Sequence, residues 1–328
     1  MQTALFQNKR VLITGGLGFI GSNLARALVP LGADVVLVDS LIPQYGGNLF
    51  NIADIEGQVR VNIADVRDRH GMAHLVQGQD FIFNLAGQTS HLDSMENPDT
   101  DLAINCGAQL SILESCRRHN PGVKLVFAST RQIYGRPQYL PVDEKHPLDP
   151  VDVNGIHKLA AEFYHTLYNN VYGLRACVLR LTNTIGPRMR ICVARLTFVG
   201  VWLRQILENK PIEVWGGQQL RDFTFVDDCV EAMLIAAVDE RANGRIFNLG
   251  GDCIISLREL AAMIVELNGA GEFAVREFPE NRKRIDIGDY YSDFSLIRES
   301  LGWQPRTPLR DGLARTLAFY RENIQHYV

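Results

Sequence analysis

Apolar residues along this chain follow two periods that take turns. The β-branched runs Val11-Leu12-Ile13 and Val35-Val36-Leu37-Val38 read as strands buried on both faces, and the stretch from Ser22 to Leu28 between them carries apolar residues at helical spacing. The alternation continues downstream. Residues 59–65, 81–85, 124–128 and 175–181 predict four more strands, a polar loop spans 87–98, and helices are predicted over 102–118 and 154–172. Strands that alternate with helices imply a doubly wound, Rossmann-type α/β fold: a parallel sheet covered on both faces, with ligands beyond the carboxyl ends of the strands. Past Pro187 the pattern loosens. A helix near 198–208, a short strand over 212–215, a late strand over 245–249 and helices over 256–268 and 309–323 complete the reading. Residues 1–182, with 223–250 returning to them, are therefore expected to form one large α/β domain, and 183–222 with 251–328 a smaller C-terminal domain.

Composition changes this picture little. The 328 residues are 46% hydrophobic and 21% charged, ordinary for a globular chain, and the net charge of −4 gives no reason to expect a nucleic-acid partner. No run approaches the ~18 apolar residues of a membrane span, and Met1 to Arg10 lack a signal-peptide pattern. Six cysteines without C-x-x-C spacing read as reduced thiols of a cytoplasmic protein, with no metal site.

The chemistry begins where the first strand ends. Gly15, Gly18 and Gly21 give a G-x-x-G-x-x-G turn between strand and helix, the setting in which backbone N–H groups and a helix N-terminus receive a pyrophosphate. Phe19 and Ile20 fall inside that turn. Asp39, at the tip of the second strand, suits the ribose hydroxyls of an adenosine and repels a 2′-phosphate, which makes NAD the expected cofactor.

Two later motifs, Ala128-Ser129-Thr130-Arg131-Gln132-Ile133-Tyr134-Gly135 and Asn154-Gly155-Ile156-His157-Lys158, narrow the reading. With the glycine turn, Asn84-Leu85-Ala86, the segment Arg180 to Arg188, the run Arg221-Asp222-Phe223-Thr224-Phe225-Val226-Asp227-Asp228 and Leu301-Gly302-Trp303-Gln304-Pro305, the chain resembles the extended short-chain dehydrogenase/reductase family from end to end. The likeness is to its nucleotide-sugar epimerase, dehydratase and decarboxylase group. The resemblance implies that Thr130 and Lys158 belong to the catalytic set and that Asp65, Val66, Leu85 and Ala86 join the glycine turn, Asp39 and Lys158 around NAD. It further implies that Ser90, Thr130, Asn183, Arg221 and Lys283 meet a nucleotide diphosphate sugar. Asp65 also suits a plain turn, and Lys283 a solvated surface cluster with Arg282.

The departure from the family pattern is Asn154, which stands where the resemblance places a tyrosine base. An amide does not ionise near neutral pH. His157, Tyr139, His91 and Tyr134 are candidate replacements, from segments expected near the site. Arg131 and Gln132 occupy the positions at which the family's 4,6-dehydratases keep an acid pair, so a C4 epimerase acting on a UDP- or dTDP-hexose is the least contradicted activity. Another nucleotide-sugar modification with an unusual proton donor, and a weakly catalytic NAD- and sugar-nucleotide-binding protein, are the alternatives. The resemblance also implies a homodimer formed through the helices over 102–118 and 154–172, with no membrane partner.

Overall fold

The computed structural model describes residues 3–42, 45–192, 197–279 and 284–328. Its centre is a seven-stranded sheet in which every pairing is parallel. The strands are β1 (Arg10–Thr14), β2 (Asp34–Asp39), β3 (Val59–Ile63), β4 (Phe81–Asn84), β5 (Lys124–Thr130), β6 (Arg175–Leu181) and a last strand, Ile246–Asn248. Their spatial order is β3, β2, β1, β4, β5, β6 and then Ile246–Asn248. The chain thus winds outward from β1 on one side and returns past it to β4 on the other. Beyond the carboxyl ends of β1 and β4 the connections diverge and leave a crevice, the usual ligand position of such a sheet.

Register places apolar residues in continuous layers. Leu12 lies between Val36 and Ile82, and Ile13 between Leu37 and Phe83. One face carries the cluster with Val11, Ile13, Val35, Leu37 and Phe83, the other the cluster with Leu12, Val36, Ile82 and Leu125. Burial on both faces is what continuous apolar runs demand.

The helices are closed by local chemistry. Asp152 caps the long helix Val153–Tyr172 by accepting the Gly155 N–H at 2.7 Å, and Gly173 ends it in the left-handed region at φ +71°. Ser256 and Glu259 form a reciprocal capping box ahead of the helix Leu257–Asn268.

A second cluster, with Trp202, Leu203, Ile212, Leu260, Leu313 and Tyr320, lies in the C-terminal half. The helices Phe198–Leu207, Leu257–Asn268 and Leu309–Asn323 build it with the parallel strand pair Ile212–Trp215 and Phe273–Arg276. The helix Ser295–Leu301 and Trp303 pack instead on the sheet's own core, through Ile297, Leu301 and the Trp303 ring. The segment 183–185, paired with 223–225, contributes Ile185, Phe223 and Phe225 to the second cluster.

The predicted polar loop over 87–98 contains a short helix, His91–Glu96, and the predicted helix over 102–118 is broken by a π-turn at Ala103–Gly107. Among the described residues no helix is long and apolar enough to cross a membrane, and no cluster of His, Cys, Asp or Glu could hold a metal ion.

Candidate active site

The crevice is a cleft of about 440 Å³ that runs from the glycine turn to the end of β6. Gly15 adopts φ +68°, and a Cβ there would stand 3.0 Å from the Ala86 nitrogen. A Cβ on Gly21 would come within 2.3 Å of the Gly15 carbonyl oxygen, so only glycine allows the helix Phe19–Leu28 to start this close to β1. The first-turn amides of that helix lack intrahelical acceptors, and the helix dipole favours an anion before them.

Thr14 braces the opposite wall. Its Oγ1 accepts the Leu85 and Ala86 N–H groups, both at 3.1 Å, and donates to Asn84 Oδ1 at 2.9 Å. Asp39 lies at the tip of β2 and accepts the Leu17 and Leu41 N–H groups at 3.1 and 2.9 Å. Burial pushes its carboxyl up, opposed by those two hydrogen bonds. Asp65 pairs with Arg67 at 2.6 Å, and that pairing holds its carboxyl below the usual range. The cleft is lined by Gly15, Gly18, Phe19, Ile20, Asp39, Asp65, Val66, Leu85 and Ala86 along one stretch and by Thr130, Asn154, Lys158 and Asn183 along another. Gly21 stands behind the turn as a packing residue. The glycine cradle, the dipole and the acid at the β2 tip fit an adenine dinucleotide.

Lys158 is buried on the inner face of the helix Val153–Tyr172. Its Nζ donates to the Ala128 carbonyl at 3.0 Å and lies 4.8 Å above the Phe127 ring. Burial pushes the ammonium down to about 8. Asn154, one turn earlier, is turned into the protein. Its Nδ2 donates to the Gln88 carbonyl at 2.8 Å and to Asp101 Oδ2 at 3.2 Å.

The four candidate proton carriers separate clearly. His157 Nδ1 is 2.7 Å from Asp101 Oδ1, and His157 does not line the cleft. Tyr139 is exposed and donates to Asp143, away from the cleft. Tyr134 is fully buried between Asn248 and Arg180, and burial pushes its phenol far up. His91 alone of the four lines the cleft. Its Nδ1 lies 2.8 Å from Asp152 Oδ2, at an angle too far off-line for a straight hydrogen bond. Burial raises the Asp152 carboxyl, but contacts with His91, the Gly155 N–H and the Gln132 amide outweigh it and keep the group below the usual range.

A second cavity of about 360 Å³ adjoins the first and shares His91, Arg131, Thr197 and Phe198 with it. Arg221, Gln219, Trp215 and Phe278 line this part. The Arg221 guanidinium donates to the Leu220 carbonyl at 2.8 Å and to the Gly288 carbonyl, with Asp286 at 3.5 Å. Burial and the charge of Arg131 press it down to about 10. Ser90 stands apart from both cavities: it is fully buried, and its Oγ accepts the Asp93 N–H at 3.1 Å as the cap of the helix His91–Glu96. Lys283 and Arg282 lie outside the described residues. Asp152 and the cleft-facing position of Arg131 were not singled out from the sequence. An aspartate two residues before Asn154, at a helix start, was the available sign of the first.

The model of the NAD dependent epimerase/dehydratase family matches residues 11–250. A putative UDP-glucose 4-epimerase of Methanocaldococcus jannaschii is 33% identical over 319 residues, covering 95% of this chain and 99% of that protein. A dTDP-glucose 4,6-dehydratase of Streptomyces niveus is 30% identical over 324 residues, with 96% and 93% covered. Among solved structures, UDP-glucose 4-epimerase of Thermotoga maritima with UDP-glucose superposes with a TM-score of 0.88 at 28% identity, covering 96% of this chain and 99% of that one.

Proposed function

Since the chain belongs to the NAD-dependent epimerase/dehydratase family, we propose that it inverts C4 of a nucleotide-linked hexose, with His91 carrying the proton that a tyrosine carries elsewhere. The enzyme is an NAD-dependent nucleotide-sugar epimerase/dehydratase; the specific reaction is our reading. One observation carries it: of the four candidate proton carriers, only His91 reaches the cleft lined by Thr130 and Lys158, and it arrives backed by a buried carboxylate.

NAD, when bound, accepts a hydride from the sugar carbinol and returns it. With NAD bound, His91 would take the hydroxyl proton through Nε2 as the carbinol is oxidised and give it back after the keto-sugar has turned its other face and been reduced again. Asp152 stabilises the imidazolium formed in between, the role a carboxylate plays toward a catalytic imidazole. Thr130 Oγ1 accepts the Gln132 N–H at 3.2 Å, so its own proton remains for the sugar oxygen. Lys158 is the residue that would hold the nicotinamide ribose of bound NAD. Arg221 and Asn183 hold the diphosphate. Arg131 and Gln132 provide no carboxylate to move protons at C5 and C6, which favours epimerisation over dehydration. The working unit is a homodimer.

The test is to incubate NAD-loaded protein with UDP- and dTDP-linked hexoses and hexuronates and to resolve the products by NMR. A C4 epimer is expected. His91→Gln is expected to lower kcat by about 10²–10⁴-fold at little change in KM, the usual worth of a general acid–base group. A dehydrated or decarboxylated product, or an unaffected His91→Gln variant, overturns the proposal.

A further inference from the structure

Among the described residues, Arg131 has no ion-pair partner. It follows Thr130 at the end of β5 and lines both cavities, at the point where the cleft of Thr130 and Lys158 opens into the cavity of Arg221. Its Nη2 donates to Asn183 Oδ1 at 3.0 Å, while its Nε and the Asn183 Nδ2 are buried without partners. The guanidinium lies 5.3 Å from the centroid of the Tyr290 ring, which supports its plane.

The acids that surround it are committed elsewhere. Asp222 accepts from Thr182 Oγ1 at 2.6 Å and from the Ser292 N–H at 3.1 Å. Asp286 accepts the Gly288 N–H at 3.0 Å and faces Arg221. Asp152 serves Gly155, Gln132 and His91. Among the described residues no carboxylate comes within ion-pair distance of Arg131. A guanidinium withdrawn from water without a counter-ion is costly, and one left facing a ligand cavity suits an anion brought by the ligand.

A nucleotide sugar offers two places for such an anion: the diphosphate and an acidic substituent on the sugar. On the reading above the diphosphate lies between Arg221, in the second cavity, and Asn183, in the first. Arg131 instead adjoins Thr130, the residue assigned to the reacting hydroxyl. Resting on that reading, we infer that the sugar is a hexuronate and that Arg131 holds the carboxylate on C5, next to the carbon that is oxidised. The planar fork of the guanidinium matches a carboxylate in two parallel hydrogen bonds.

Calorimetric titration of the NAD-loaded protein tests this with UDP, UDP-glucose and UDP-glucuronate and with their dTDP counterparts. The wild type is expected to bind the glucuronate at least roughly tenfold tighter than the glucose form, because a buried charge discriminates strongly against a neutral analogue. Arg131→Gln should erase that difference and leave UDP and UDP-glucose as they were. Arg131→Lys, which keeps the charge and loses the fork, should retain part of it and guards against a folding defect in the first variant. Equal affinity of the wild type for the two sugars overturns the inference. So does an Arg131→Gln variant that weakens UDP, UDP-glucose and UDP-glucuronate alike, since Arg131 then serves the diphosphate. Failure of the reading beneath looks different: no binding of any nucleotide in either series, or an Arg221→Gln variant indifferent to UDP.

Discussion

Asn154 spends its amide on the protein: Nδ2 reaches the Gln88 carbonyl and Asp101, and its backbone N–H lies 3.3 Å from Ser94 Oγ. Asp101 is fully buried and takes His157 on its other oxygen. A tyrosine at 154 would therefore crowd the Gln88 and Asp101 contacts or enter the cleft that Asn154 lines, and in either case deprive Asp101 of a donor. Asn154→Tyr is expected to lower turnover and to cost roughly 1–3 kcal/mol of stability, the range for overpacking with a lost buried partner. Product NMR and a denaturation midpoint read both effects. A gain in turnover would mean that the site is a weakened tyrosine site and that His91 is not its proton carrier. The replacement at 154 was legible in the sequence, because it broke a spaced motif. Its consequence was not, because Asp101 and Gln88 lie 53 and 66 positions away in the chain and spacing carries no information on such contacts.

At the scale of elements, the six strands and the Asn154-to-Lys158 helix were readable because their apolar patterns are long and consistent. The helix Val226–Val238 was not predicted. It is apolar nearly all round and buried on most sides, against the sheet and beside the helix Phe19–Leu28, so no polar face marks its period. His91–Glu96 is too short to show a period at all, and with it the approach of His91 to the cleft stayed hidden. The helix Val153–Tyr172 brings its own energetic consequence. Burial holds Lys158 at about 8 against 10.5 for a free lysine, so the unfolded chain binds more protons between those values. Stability then rises with pH across that window, because the cost of the buried charge fades as the folded form loses its proton. Lys158→Met removes this dependence. Relative to wild type, the variant is expected to be favoured most near pH 7 and to lose that advantage toward pH 10, as chemical denaturation at a series of pH values would show. A stability difference that stays constant from pH 7 to 10 would place the Lys158 titration outside that window.

Across the whole molecule, the helix that aims Lys158 and Asn154 inward presents a second face to solvent. Ile156, Phe163, Leu167 and Val171 are 51%, 58%, 47% and 64% exposed. At about 100° per residue they fall within an arc of about 80°. Met95 and Leu102, on the helices His91–Glu96 and Pro98–Leu102 that pack against it, are exposed as well. The helix Ala108–His119 adds no large exposed apolar side chain, so the exposed apolar surface of the two long helices lies mainly on one of them and its short neighbours. A contiguous apolar stripe on a water-facing helix is the kind of surface that a partner covers, and a straight stripe can meet its own copy across a two-fold axis. Such a dimer would press on the outer face of the element whose inner face places the reacting groups. It would also steady the helix that carries His91. Phe163→Glu combined with Val171→Glu is therefore expected to convert a dimer to a monomer in sedimentation velocity at micromolar concentration. Its turnover should fall although neither side chain touches the cleft, and raising the protein concentration should restore part of it. A wild-type chain that sediments as a monomer under the same conditions would rule out the dimer, and a monomeric variant with full turnover would separate the stripe from the active site.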